Sequence, residues 1–174
     1  MRCILSAVFT LLFAVFAIAQ DPGKIDDEVR KQIGATLVNY YELKDAMVAS
    51  DAARAKAAAD KLWKSYDLVN ANKMTPVQKA AWVKLEPALR LDTEHIIDND
   101  EIGHQRDHFK PLSNSIYALV FNFKANDSDA YLLYCPMKKA SWLSSRKVVE
   151  NPYYGNKMLD CGSVTTTLKK QPKN

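Results

Sequence analysis

Most catalytic signatures are missing from this sequence. It has no His-Glu-x-x-His pair for a zinc hydrolase and no Gly-x-Ser-x-Gly elbow for a serine nucleophile. Cys-x-x-Cys-His is absent, which excludes covalently attached haem. A cysteine–histidine nucleophile pair could be assembled on paper, but any cysteine and any histidine would give it, so the reading is non-enzymatic. There is no clustered basic face either. The formal charge is +4, with lysines interleaved among acids, and Lys138-Lys139 and Lys169-Lys170 are too short to form a nucleic-acid footprint. Internal repeats and low-complexity linkers are also lacking. Beyond residue 19 no stretch is apolar enough to cross a bilayer.

The apolar run that does exist lies at the start. Residues 1–19 carry one positive charge, Arg2, then an apolar run from Ile4 to Ile18 that ends in Ala17-Ile18-Ala19. This reads as a secretory signal peptide cleaved before Gln20. The run is short for a membrane anchor, which needs about 20 apolar residues. Cys3 would leave with the signal. The mature chain, residues 20–174, is one ordinary domain of 174 − 19 = 155 residues, long enough for a real core. It is expected in the periplasm, as a secreted protein.

Four amphipathic periods follow. Val29, Ile33, Thr36, Tyr40, Leu43 and Met47 are spaced for one helical face, and acids at Asp26, Asp27 and Glu28 suit its start. Met47 sits on the packing stripe. Ser50 is the expected N-cap of an alanine-rich second helix with Ala55, Ala59, Leu62, Tyr66 and Val69 inward. Thr75-Pro76-Val77-Gln78 is a capping box with proline at the first helical position. It opens a third helix through Trp82, Leu85, Leu89 and Ile96. The fourth carries Phe109, Leu112, Ile116, Leu119 and Phe123. Pro87 and Pro111 fall inside these helices and predict a kink or break. The fold class expected is all-α, an antiparallel four-helix bundle. A small irregular C-terminal cap, residues 130–174, should hold short strands at Tyr131–Tyr134 and Val164–Leu168 and bury Trp142, Leu143, Tyr153 and Tyr154 on the helices.

That cap holds the only cysteines of the mature chain, each near a methionine: Cys135 with Met137, and Cys161 with Met158. Thiolate and thioether together form the soft donor set that suits Cu(I). In an oxidising compartment the same two cysteines also suit a structural disulfide. All three histidines fall in one window. His104 and His108 lie i,i+4 on one helix side, and His95 precedes the turn, from where it can fold back toward them or serve as a surface polar residue. Glu94 and Glu101 could orient the imidazoles or merely face water. The expected site therefore joins His95, His104, His108, Cys135, Met137, Met158 and Cys161 around one copper ion, with zinc the second choice. The alternative is a non-catalytic periplasmic interaction module stapled by a Cys135–Cys161 disulfide.

Tyr40 to Ala46, His104 to Phe109, Tyr134 to Met137, Asn151 to Gly155 and Met158 to Gly162 together resemble domain of unknown function 3347. Its members are small secreted bacterial proteins, and similar domains are joined to the periplasmic adaptor subunits of heavy-metal efflux pumps. The resemblance implies a role in heavy-metal handling or efflux, with such an adaptor as a partner besides the metal ion.

Overall fold

The computed structural model describes residues 23–171. The expected signal peptide, residues 1–19, lies outside the described residues. Four helices come first: α1 (Asp27–Ala49), α2 (Ala52–Asp67), α3 (Pro76–Ile97) and α4 (Ile102–Phe123). Three strands follow: β1 (Ala130–Cys135), β2 (Ala140–Ser144) and β3 (Ser163–Leu168). α1 packs against α2 and α4, and α3 packs against the same two helices. Among the described residues no helix is long and apolar enough to cross a membrane.

The predicted stripes are the buried ones. Val29, Ile33, Thr36, Tyr40, Leu43 and Met47 are all fully inaccessible. So are Ala55, Ala59 and Leu62 on α2, Leu89 and Ile96 on α3, and Phe109, Leu112, Ile116 and Leu119 on α4. Thr75 caps α3 through the expected box with Gln78. The cap of α2 is different from expectation. Asp51, not Ser50, accepts from Arg54 N, while Ser50 turns left-handed (φ 57°) and closes α1. Neither Pro87 nor Pro111 breaks its helix. Both rings face solvent, and the carbonyls they deprive of an amide belong to Val83 and Asp107, themselves exposed, so water can satisfy them.

The cap holds both expected strands, as β1 and β3, with an irregular stretch over residues 145–162. With β2 they form a three-stranded antiparallel sheet in the order β2-β1-β3, so the chain is helical with a small C-terminal sheet. β1 pairs with β2 from Tyr131–Ser144 to Cys135–Ala140 and with β3 from Ala130–Leu168 to Tyr134–Ser163. A bulge between Leu132 and Leu133 leaves Thr165 unpaired, and its hydroxyl donates to Leu132 O at 3.1 Å. β2 is the strand that meets α4, and it buries Trp142 and Leu143 completely. Tyr40 Oη accepts from Leu143 N at 3.2 Å and sits 2.8 Å from Ser113 Oγ, which ties the sheet to α1 and α4 from inside.

Burial separates two leucines that the periodicity treats alike. Leu119 is fully inaccessible, whereas Leu85 is only half-buried. Leu119→Ala should cost about 2–5 kcal/mol, and Leu85→Ala less than about 2 kcal/mol, measured by urea unfolding. Equal losses would contradict this packing.

Candidate metal centre

The histidines are brought together by the turn between α3 and α4. α3 ends at Ile97 and α4 begins at Ile102, so His95 lies in the last turn of one and His104 in the first turn of the next. Gln105, fully buried, fixes the corner. Its Nε2 lies 2.6 Å from Asn99 O, 3.3 Å from Ile96 O and 3.2 Å from Ala52 O, linking both helix ends to α2. Asn99 Oδ1 accepts from Glu101 N at 2.8 Å and shapes the start of α4.

With the corner held, the three rings meet. His95 stacks on His108 with centroids 4.2 Å apart and planes 2° from parallel. His104 lies 4.8 Å from His108 and 6.2 Å from His95. One ligand nitrogen from each ring falls within 4.8 Å of the others. Three nitrogens around one ion with bonds of about 2.05 Å would stand about 3.4 Å apart, so the rings must turn out of their parallel stack to close the set. His95 and His104 are exposed and His108 partly so, which leaves the rings room to turn.

Asp92 completes the arrangement. It lies i,i+3 before His95 on α3, nearly buried, with Oδ1 3.1 Å from His108 Nδ1. A carboxylate accepts, so in the neutral ring Nδ1 carries the proton and the Nε2 lone pair is available to a metal. This is the usual way a ligating imidazole is oriented. Sequence reasoning named Glu94 and Glu101 for this role. Both are exposed, and neither bonds to an imidazole among the described residues. The signal for Asp92 was its helical spacing to His95.

The two thiols do not join the triad. The cluster of ligand atoms contains the three imidazoles and neither thiol. Cys135 is buried at the end of β1, Cys161 is half-buried just before β3, and their sulfurs are 3.2 Å apart. Met137 points outward, 64% exposed, and Met158 is half-buried. The reason lies in which flank of α4 each segment uses. His108 is held toward α3 by Asp92. The cap meets the other flank, where Lys138 Nζ pairs with Asp107 at 2.9 Å and a cleft is lined by Gly103, Arg106, Tyr153 and Tyr154. Arg106 donates to Pro152 O at 2.8 Å, Met47 O at 2.7 Å and Ser50 Oγ at 2.8 Å, seating the Asn151–Gly155 loop on the end of α1. Burial lowers the Arg106 pKa from its ordinary value. Gly155 (φ 55°) is required at that contact, since a Cβ would come within 2.8 Å of Val48 O and 2.5 Å of Ser50 Oγ.

Of the residues expected from the sequence, the three imidazoles form one group and the two thiols another. Searches of curated proteins and of solved structures returned no match. Residues 36–128 match the family model described as protein of unknown function (DUF3347), a span that holds all three histidines and ends before Cys135. The match covers 128 − 36 + 1 = 93 of 174 residues, and the chain belongs to that family.

Proposed function

We propose that this protein binds a transition-metal ion at His95, His104 and His108 and serves metal handling or efflux in the periplasm. The observation that carries the reading is the Asp92-oriented imidazole triad, with its three ligand nitrogens within 4.8 Å. Imidazole suits copper and zinc alike, and the order of divalent affinities places copper above zinc. The triad therefore fits Cu(II) first and zinc second, whereas the Cu(I) expectation belonged to the sulfur donors. The scaffold in this reading is an antiparallel four-helix bundle, supported by the short α1–α2 and α3–α4 connections and by the contacts of α1 and α3 with both α2 and α4. Export rests on the N-terminal sequence, and an efflux-pump adaptor as partner rests on the family resemblance.

The test is the metal content of protein released from the periplasm without chelator, followed by titration of the metal-depleted chain with Cu(II) and Zn(II). About one equivalent should bind, more tightly for Cu(II). A wild-type chain that takes up neither ion is not a metal protein at this site. A second reading, an interaction module without metal, is favoured by the 3.2 Å approach of the two sulfurs, which suits a structural disulfide. It predicts a null titration and a permanently bridged pair.

A further inference from the structure

The thiol pair is built in a way that a simple staple does not need. At 3.2 Å the sulfurs are further apart than the about 2.05 Å of a disulfide. They are closer than the about 3.8–4.6 Å that separates two sulfurs sharing one ion through bonds of about 2.3 Å. Opening by about 0.6 to 1.4 Å would admit an ion. Rotation of the half-buried Cys161 side chain can supply that movement.

The surroundings of Cys135 favour an anionic sulfur. The chain turns at Pro136, and the Lys138 backbone N–H then points back at Cys135 Sγ from 3.5 Å. Burial pushes the Cys135 thiol up, yet the Lys138 N–H, the Cys161 thiol and the Asn151 side chain outweigh it and hold it below its ordinary range. Cys161 moves the other way, because its bond to Cys135 retains its proton.

The loop that presents Cys161 is fixed from within. Asn151 is fully buried, donates from Nδ2 to Cys161 O at 2.8 Å, and accepts from Tyr153 N at 2.9 Å. Its own N–H donates to Leu159 O at 2.7 Å. Gly162 follows with φ 150°, where a Cβ would lie 2.8 Å from the Trp142 ring, so the backbone beside Cys161 is pressed onto the buried indole. Two donors are thus held side by side by separate supports, one from the β1–β2 turn and one from the Asn151 loop.

We propose that Cys135 and Cys161 form a second metal site, a two-thiolate chelate for a soft monovalent ion of the Cu(I) class, separate from the imidazole triad. The ion bonds to both sulfurs and displaces their protons to solvent, with no change in oxidation state. Softness sets the choice, since thiolates select Cu(I) where imidazoles take divalent copper or zinc. The ion enters from the Cys161 side, the more accessible of the two.

The experiment uses the reduced, metal-free full chain under anaerobic conditions. Cu(I) is supplied as its acetonitrile complex in competition with a chromophoric Cu(I) chelator. The His95→Ala, His104→Ala, His108→Ala triple variant should still bind about one Cu(I), so failure of the triad leaves this site standing. Cys161→Ser should weaken binding at least about 100-fold while keeping the wild-type circular dichroism. Cys135→Ser should do the same, with Cys161→Ser carrying the test if the buried position fails to fold. Met137→Leu and Met158→Leu should change it less than about threefold, because Leu keeps the volume and removes only the sulfur. Absence of Cu(I) binding in the triple variant overturns the proposal. So does wild-type affinity in Cys161→Ser, or a Cys135–Cys161 disulfide that reductant cannot open in the folded protein.

Discussion

Alanine at His108 should lower the affinity for Cu(II) or Zn(II) more than about 100-fold, beyond the 10–100-fold typical for losing a supporting residue. His108 is the central ring of the triad, in contact with both other imidazoles and the one that Asp92 orients. Asp92→Ala should cost about 10–100-fold, because the Nδ1 proton loses its acceptor and the ring its fixed orientation. Asp92→Asn should recover part of that loss, since its amide oxygen can still accept. Binding in all of these chains should weaken as pH falls, because protons compete with the ion for the same nitrogens. The measurement is competitive titration against a chelator at several pH values. Wild-type affinity in His108→Ala would remove the triad as the site.

Phe109→Ala should destabilise the fold by about 3–5 kcal/mol. Phe109 is fully buried, stacked on Tyr40 with centroids 5.4 Å apart and planes 7° from parallel, and tilted against Tyr153 at 5.7 Å. It therefore stands where α1, α4 and the cap loop meet, and aromatic pairs add to the simple burial term. Truncation would leave a cavity that three separate elements must all move to fill. Phe109→Leu, which keeps most of the volume, should cost much less. Urea unfolding followed by circular dichroism reads both, and a loss below about 1 kcal/mol for the alanine variant would mean that the junction is not as tightly packed as described.

The helices were legible because each buried face repeats a short-range signal several times. Six residues from Val29 to Met47 keep helical spacing, and all six are inaccessible. The α2 cap was misassigned because Ser50 and Asp51 are adjacent and both residue types favour that position. The left-handed turn at Ser50 that decides between them is closed by backbone bonds from Ser50 N to Met47 O and from Asp51 N to Ala46 O, and the Ser50 hydroxyl accepts from Arg106. β2 was missed because its five residues are buried almost throughout, so no alternation marks it as a strand. The same limit applies to the site. That His104 and His108 share a helix side is local and could be read. That the thiols dock on the other flank of α4 follows from Arg106, Asp107 and the Asn151 loop, whose contacts span 31 to 59 residues. Gln105 and Asp92, the residues that hold the triad in place, carry no motif and act through tertiary contacts.

The corner that joins α3 to α4 also closes over a far shorter stretch of chain than the contacts that seat the sheet. His95 and His108 are 13 positions apart, whereas Tyr40 and Leu143 are 103 apart and Arg30 and Asp127 are 97 apart. Closing the short loop costs the least chain entropy, so the helical hairpin can assemble before the sheet finds α1. The three imidazoles are then already gathered when the segment with both thiols has yet to dock. On the proposed function, an ion bound at that stage would bias the chain toward its native corner, because anything that binds an ordered form favours it.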